Sequence, residues 1–266
     1  AEPWSADLAV MEKRLEERCA AQLEAYAETI SKQLQDVRQC SGCTSPSPPP
    51  PSPPPPPPPK PPCAHPIDFI LVLDESGSMK KPLPDGSMEG PSGMKAFAKQ
   101  LVNQYALGTD AARFSLVSFA TDATTRVAWS TDDVVINAGI DRMVADGRTS
   151  ISDGFEVAGQ LLVGGREGAT KVVLLVADGE QTVDAAPDKT PEQTAIDAAT
   201  LVKGSGATVF AWGFGKASLP TLMQIATDPS KALLVQGIDE LVDHVAGLEA
   251  TVCNESPEPP RPKTLR

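Results

Sequence analysis

Apolar residues beyond about residue 65 occur in short runs, which alternate with stretches where apolar positions recur at helical spacing. The runs predict strands at about 67–73, 113–119, 124–129, 171–177, 207–212 and 232–235. The helical stretches lie at about 92–107, 132–144, 151–163, 191–203, 218–226 and 238–250. The first and fourth runs are almost continuously apolar, as is typical of parallel strands buried on both faces. This alternation predicts a doubly wound α/β fold, with a mostly parallel six-stranded sheet flanked by helices.

A different pattern fills residues 3–39, which lack glycine and predict one long, separate N-terminal helix. Its apolar residues recur at intervals of eleven: Leu8, Cys19 and Ile30; Leu15, Tyr26 and Val37; Leu23 and Leu34. This period keeps them on one face of a nearly straight helix and permits a slightly right-handed coiled coil. We expect the helix to form a homo-oligomer or to dock on another chain, and the alternative is a single solvated helix.

Proline dominates residues 45–62, which follow a glycine that ends the predicted helix. Such a segment cannot form helix or sheet hydrogen bonds, so it predicts a stiff polyproline II spacer on the order of 50 Å long. A ligand for SH3-like or WW-like domains is the alternative interpretation, but it requires a cytosolic protein. The expected organisation is a helix over 1–44, a linker over 45–62, an α/β domain over 63–253 and a disordered, proline-rich tail over 254–266.

The five cysteines favour an oxidising compartment over the cytosol. Cys63 precedes the first predicted strand and Cys253 follows the last predicted helix, so a disulfide across the ends of the domain is expected. The motif Cys40-Ser-Gly-Cys43 lacks the second cysteine pair of a zinc site and the βαβ setting of a redox motif, which favours a structural disulfide within the motif or between chains. Cys19 is left as a candidate for pairing between chains.

The formal net charge of −12 argues against nucleic acid and anionic membranes as partners, because both would repel the chain. No apolar run approaches the roughly 18 residues needed to span a bilayer. A start at Ala1 without a signal sequence fits a mature secreted chain or, equally, an excised fragment. Together with the cysteines, these features predict an extracellular protein that is secreted or associated with a cell surface or matrix.

Oxygen-bearing side chains follow the two most apolar strands and precede the third predicted helix of the domain. They are Asp74, Ser76, Ser78, Thr149 and Asp178. Parallel sheets place their ligands at the carboxyl ends of the strands, so these loops are expected to meet. A set of two carboxylates and three hydroxyls suits a hard divalent cation, with Mg²⁺ the best fit and Mn²⁺ or Ca²⁺ possible. The neutral hydroxyls leave the charge of the metal largely uncancelled, so it can accept a carboxylate from a partner.

The order and spacing of these residues resemble the metal-ion-dependent adhesion site of von Willebrand factor A domains and integrin inserted domains. The resemblance covers about 190 residues and implies a Rossmann-like fold. It also implies that Ser76, Ser78 and Thr149 contact the metal and that Asp74 and Asp178 act directly or through water. Cys63 and Cys253 resemble the end-to-end disulfide of some members. The proline segment resembles hydroxyproline-rich glycoproteins of plant and algal matrices, whose prolines are hydroxylated and glycosylated.

Two features near the expected site lie outside that pattern. Residues 80–93 form a longer link to the first helix than the family usually has, and we expect this loop to lie beside the metal and either to set the choice of partner or to cover part of the site. Glu75 and Asp153 are expected to support the site or a helix N-terminus, not to bind the metal.

An enzyme is the main rival interpretation, and the loops argue against it. No glycine-rich phosphate loop follows the first strand, and the chain's two histidines, His65 and His244, do not map near the expected site. No catalytic residues are therefore predicted. The sequence favours an extracellular adhesion or protein-interaction module that binds a protein carboxylate through its metal. The alternative is a structural component of a matrix, cell wall or filament, in which the domain is an assembly contact.

Overall fold

The structure, a computed structural model, describes residues 63–82 and 87–254, together with Glu24, Ala27, Glu28, Ser31 and Lys32. The chain divides into two units, Ala1–Pro56 and Pro57–Arg266. The five described residues of the first unit are helical and exposed, which agrees with the helix predicted there. The eleven-residue apolar pattern, Cys19, Cys40, Cys43, the proline spacer and the C-terminal tail lie outside the described residues, so the domain bounds stay predictions.

The second unit is built on a six-stranded sheet, as predicted. Its strands are β1 (Ile67–Asp74), β2 (Ala112–Phe119), β3 (Ala123–Ser130), β4 (Thr170–Ala177), β5 (Thr208–Gly213) and β6 (Ala232–Leu234). They lie in the order β3-β2-β1-β4-β5-β6. Only β3 is antiparallel to its neighbour, because a short turn joins it to β2, whereas every other pair is parallel.

Helices cover both faces of the sheet. They are α1 (Met94–Val102), α2 (Asp133–Asp141), α3 (Ile151–Leu162), α4 (Pro191–Gly204), α5 (Leu219–Ile225) and α6 (Val245–Asn254). Three short 3₁₀ helices span Gly77–Lys80, Pro229–Lys231 and Ile238–His244. One core packs α1, α2 and α6 against the sheet, and the other packs α3, α4 and α5 against the opposite face. Among the described residues, no helix is long and apolar enough to cross a membrane.

Strand β1 lies at the centre of the sheet and is buried along its whole length. Phe69, Leu71 and Leu73 enter one core, while Ile70 and Val72 enter the other. This alternation explains why the segment is continuously apolar in sequence, since both faces of the strand need apolar cover. The strand ends at the edge of the sheet where the candidate metal site is found.

Two predicted helices differ from the observed ones at their ends. The helix predicted over 92–107 ends at Val102, and turns then carry the ring of Tyr105 to within 5.5 Å of Phe69. Tyr105 is therefore buried without being helical. The helix predicted over 238–250 begins as a 3₁₀ helix and continues as α6. Ile238 and Leu241 are both fully buried, and their spacing of three suits the 3₁₀ helix.

A disulfide joins Cys63 and Cys253, whose Cα atoms lie 4.7 Å apart across a sequence separation of 190 residues. Both cysteines pack against the core that contains α6. Cys63 precedes β1, so the bond lies toward the amino end of that strand. The two ends of the domain therefore meet, as their positions in the sequence led us to expect.

Candidate metal centre

The five candidate ligands lie at the carboxyl edge of the sheet. Asp74 ends β1, Asp178 directly follows the neighbouring strand β4, and Thr149 precedes α3. Asp74, Ser76, Thr149 and Asp178 are all buried, whereas Ser78 is half-buried. The adjacency of β1 and β4 brings together residues that lie about a hundred positions apart in the chain.

Hydrogen bonds link four of these residues into a continuous chain. The Ser76 backbone N–H donates to Asp74 Oδ1 at 2.7 Å, and Ser76 Oγ lies 2.8 Å from Ser78 Oγ. Ser78 Oγ in turn donates to Asp178 Oδ1 at 2.8 Å. The two serines therefore face the same space between the two carboxylates.

The other carboxylate oxygen of Asp74, Oδ2, is buried and has no hydrogen-bond partner. A buried carboxylate oxygen without a partner is costly, because the solvation lost on burial is not replaced. A divalent cation beside Asp74 would supply the missing partner. The residues present therefore fit the metal that the sequence predicts.

Burial raises the pKa of Asp74 to about 7, and the nearby charge of Asp178 adds to that rise. Burial also raises the pKa of Asp178, against the opposing effects of the Ser78 hydrogen bond and the charges of Lys81 and Lys216. Two buried carboxylates that repel each other form a site of negative potential. A dication is the natural counter-charge for this pair.

Glycines allow the loop after β1 to approach the loop that carries Thr149. The Gly77 N–H donates to the Gly147 carbonyl at 3.0 Å, and a Cβ atom on Gly77 would also lie 3.0 Å from that oxygen. Gly147 has a φ of +74°, and a Cβ atom there would lie 2.7 Å from Thr121 Oγ1. A side chain at Gly77 would push the two loops apart, whereas one at Gly147 would clash with Thr121 in the turn between β2 and β3.

Thr149 is tied to the Asp178 loop through Thr182 and not through Asp178 itself. The Thr149 N–H donates to Thr182 Oγ1 at 3.1 Å, and the Thr182 N–H donates to the Thr149 carbonyl at 2.8 Å. Ser78, Thr149 and Asp178 line one cleft of about 550 Å³. The three predicted loops thus meet at a single opening.

Gln181 also connects the loop after β4 to the start of α3. Its side chain is 6% exposed, its Oε1 accepts from the Ser152 N–H at 2.7 Å, and its Nε2 donates to Ser152 Oγ at 2.9 Å. Sequence reasoning missed both Gln181 and Thr182, because polar residues in a loop carry no periodicity. Their position three and four residues after Asp178 was the only indication available.

Glu75, expected to support the site, is held by other partners. Its Oε1 accepts from Ser118 Oγ at 2.8 Å and from Arg126 Nη2 at 2.6 Å, and its Oε2 accepts from the Val144 N–H. These contacts fix the loop after β1 to β2, β3 and the segment after α2. Asp153 lies in the first turn of α3, as an acid at a helix N-terminus should.

The longer link after the site begins beside the cleft. Lys80 Nζ donates to Asp146 Oδ1 at 2.8 Å, and Lys81 lines the cleft with Ser78. Farther along, Met88 is buried and its N–H donates to the Met79 carbonyl. Residues 83–86 lie outside the described part of the chain. The start of this loop therefore lies where the sequence led us to expect it.

A metal site rich in hydroxyls is chemically distinct from clusters of acids, histidines or cysteines. Within residues 63–82 and 87–254, no group of three or more His, Cys, Asp or Glu side chains is placed to hold a metal. The candidate site contributes only two carboxylates, so it relies on hydroxyl oxygens for its remaining ligands.

Curated proteins resemble part of this chain. A UPF0353 protein of Mycolicibacterium vanbaalenii is 29% identical over 155 residues, which cover 55% of this chain and 44% of that protein. The collagen alpha-5(VI) chain of Homo sapiens is 24% identical over 200 residues, covering 72% of this chain and 7% of that protein. The chain thus spans less than half the length of these relatives.

Solved structures resemble the same region. Proximal thread matrix protein 1 from the mussel byssus superposes with a TM-score of 0.58 at 27% identity, covering 72% of this chain and 47% of that one. Another structure of that byssus protein, described with zinc in its MIDAS motif, has a TM-score of 0.59 and covers 72% of this chain and 46% of that one. The pilus adhesin SpaC of Lactobacillus rhamnosus GG, at 15% identity and a TM-score of 0.59 over 71% of this chain and 31% of that one, shares the fold.

The family model of the von Willebrand factor type A domain matches residues 68–244, two thirds of the chain. This range begins at the second residue of β1 and ends with the 3₁₀ helix before α6, so it contains the sheet except for Ile67 and all five candidate ligands. The chain therefore belongs to the von Willebrand factor type A domain family.

Proposed function

We propose that this chain binds a divalent metal through Asp74, Ser76, Ser78, Thr149 and Asp178, and uses that metal to hold a protein partner. The observation that carries the proposal is the buried, unpartnered Oδ2 of Asp74 beside two facing serine hydroxyls. Such an arrangement is costly in a metal-free protein and favourable around a cation.

The donor set favours Mg²⁺, because carboxylate, hydroxyl and water oxygens suit a hard cation. Mn²⁺ and Ca²⁺ are the next candidates, and zinc is described in the MIDAS motif of the byssus protein. When bound, the metal supplies an electrophilic centre that can accept a carboxylate from a partner. The protein's own residues hold the ion and shape the cleft through which the partner reaches it.

An extracellular adhesion module is the function that this site supports best. The domain would be displayed by the proline-rich segment as a stiff stalk, with the disulfide stabilising it outside the cell. The cleft is lined by Thr149, Asp178 and their neighbours, with neither His65 nor His244 among them. A general base for hydrolysis is therefore not part of the proposal, and the chain is proposed to bind without catalysis.

A structural role in a matrix is the second candidate. It is favoured by the similarity to the mussel byssus matrix protein at 27% identity over 72% of this chain. In this role the metal cleft would contact further copies of the chain or another matrix protein. Sedimentation of the full chain with Mg²⁺ and with EDTA separates the two roles, since metal-dependent self-association supports assembly.

Titration calorimetry with Mg²⁺ and Mn²⁺ tests the metal site on the full chain. Wild type should bind one ion, and Asp74→Ala should abolish binding while leaving the far-ultraviolet circular dichroism unchanged. Asp110→Ala is a matched control, because Asp110 is an exposed carboxylate before β2, at the other edge of the sheet. Equal metal affinity in wild type and Asp74→Ala would refute the assignment.

A further inference from the structure

Two lysines from separate loops face the candidate metal cleft. Lys81 follows the 3₁₀ helix after β1, and Lys216 follows β5. Both side chains line the cleft with Asp178, and the Lys216 backbone N–H donates to the Asp178 carbonyl at 2.8 Å. Both residues are exposed, so their ammonium groups are accessible to a partner.

Among the residues that the structure describes, these lysines differ from their neighbours in having no ion-pair partner. The adjacent Lys80 is neutralised by Asp146, and Lys95 and Lys99 are paired with Glu89 and Asp141. Within the described residues, neither Lys81 nor Lys216 forms a salt bridge. Their positive charges can therefore interact with a ligand bound in the cleft.

The net charge of the cleft becomes positive once a dication is bound. The ion would offset the two carboxylates of Asp74 and Asp178. Of the remaining side chains that line the cleft, Lys81 and Lys216 are positive and only Glu180 is negative. This positive opening lies on a chain whose formal net charge is −12, so it is a local exception on a surface that repels anions.

We propose that the cleft, with the proposed metal in place, selects an acidic peptide segment with two neighbouring carboxylates. One carboxylate binds the metal, and the second pairs with Lys81 and Lys216. The metal alone would accept any partner carboxylate, whereas the lysines add a preference for a second negative charge. They are therefore the residues that set specificity in this cleft.

The lining of the cleft favours a peptide over a glycan. It contains no aromatic side chain on which a sugar ring could stack, and it offers the hydroxyl of the exposed Thr182. Gly179 leaves open space where a side chain would stand, since a Cβ atom there would meet nothing within 4 Å. An extended peptide could lie over this glycine and use its own backbone amides.

Nuclear magnetic resonance titration of the full chain, loaded with Mg²⁺, tests the proposal because it detects even millimolar binding. The probes are the peptides acetyl-Gly-Gly-Asp-Asp-Gly-Gly-amide and acetyl-Gly-Gly-Asp-Asn-Gly-Gly-amide, which differ by one carboxylate. Wild type should bind the first about threefold to tenfold more tightly, as expected for one or two exposed ion pairs. Lys81→Gln with Lys216→Gln should remove this preference, and added salt should weaken it.

Lys171→Gln is the matched control, because it removes the same charge near the amino end of β4, about 20 Å from Asp178. It should keep the preference for the doubly acidic peptide. Calorimetry on the double variant separates this inference from the metal site. Normal Mg²⁺ binding with no peptide preference in wild type overturns the lysine proposal alone, whereas absent Mg²⁺ binding in wild type overturns both. Tighter binding of a heparin oligosaccharide than of either peptide, lost in the double variant, would overturn the choice of a peptide partner.

Discussion

Strand β1 carries a fully buried aspartate near each end, and the two carboxylates have opposite surroundings. Asp68 accepts hydrogen bonds from Arg113 Nε at 2.7 Å and from Arg166 Nε at 2.8 Å. Asp74 forms no salt bridge within the described residues, and its Oδ2 has no hydrogen-bond partner. The first carboxylate is neutralised within the fold, while the second is left for an external cation.

Asp68→Asn should destabilise the domain by about 3 kcal/mol at pH 6, because Arg113 and Arg166 would lose their buried counter-charge. Burial alone would raise the pKa of Asp68, but the hydrogen bonds from the arginines outweigh it and hold the pKa below its usual range. A lowered carboxyl pKa contributes stability above its unfolded value near 4, and that contribution is lost as the pH falls through the lower folded value. Urea unfolding should therefore show that the free energies of unfolding of wild type and variant differ less at pH 3 than at pH 6.

Asp197→Asn provides the comparison, since Asp197 forms an ion pair with Lys189 on the surface of α4. Exposed pairs add little stability, so this variant should unfold like wild type at both pH values. The role given to the arginines would be contradicted if the difference in free energy of unfolding between wild type and Asp68→Asn were the same or larger at pH 3.

Asp74→Asn should have the opposite effect on stability. In EDTA at pH 8 the variant should be about 1–3 kcal/mol more stable than wild type, because it removes a buried charge that has no counter-ion. With Mg²⁺ at a hundred times its dissociation constant, wild type should gain about 2.7 kcal/mol and the variant nothing. Urea unfolding in the two buffers measures both effects. A variant that is less stable than wild type in EDTA would mean that Asp74 is structural.

The elements that carry the site are loops, and a few hydrogen bonds fix them to one another. Gln181 and Thr182 connect the loop after β4 to the start of α3. Thr149 therefore depends on these two residues for its distance from Asp178. They are positioning residues for the proposed metal, not ligands.

Gln181→Leu should weaken Mg²⁺ binding about tenfold, as is usual when a residue that orients metal ligands is lost. It should also cost about 2 kcal/mol of stability, since the Ser152 N–H and hydroxyl would lose their partner. Calorimetry and urea unfolding give the two values. Gln193→Leu, on the exposed surface of α4, is the control and should change neither. Unchanged affinity in Gln181→Leu would show that the loops hold their positions without this side chain.

Elements were easier to predict from the sequence than the contacts between loops. The apolar run of β1 predicted a strand within one residue of its observed end, because burial on both faces leaves a plain pattern. Tyr105 misled the same reasoning, since its apolar ring continued the helical spacing of α1 while its backbone forms turns. Gln181 left no pattern at all, because its role depends on Ser152, which lies 29 residues earlier in the chain.

At the scale of the whole molecule, the disulfide closes a very long segment of chain. In the chain-entropy description, a bond between Cys63 and Cys253 across 190 residues stabilises the domain by about 5 kcal/mol. The variant Cys63→Ser with Cys253→Ser should lose up to that amount in urea unfolding. Non-reducing peptide mapping of secreted protein should recover the two cysteines in one linked fragment, and free thiols at both positions would refute the pairing.

The helix predicted over residues 3–39 is expected to bring several copies of the domain together. Burial of the eleven-residue apolar pattern is the physical reason, because a long helix with one apolar face gains stability when that face is covered. Sedimentation should show a full chain that self-associates at micromolar concentration and a chain beginning at Ser45 that is monomeric. If both are monomeric, the helix must dock on a different protein.

The position of the disulfide also determines how the domain would respond to mechanical force. Because Cys63 and Cys253 lie 4.7 Å apart at Cα, tension between the two flanking segments passes through one covalent bond and leaves the chain between the two cysteines unloaded. Tension between Cys63 and a partner held at Asp74 follows a different path, along β1. That strand is hydrogen-bonded to β2 on one side and to β4 on the other. Pulling it out would shear both rows of hydrogen bonds at once, so the force-bearing strand is the one that the fold secures on both sides.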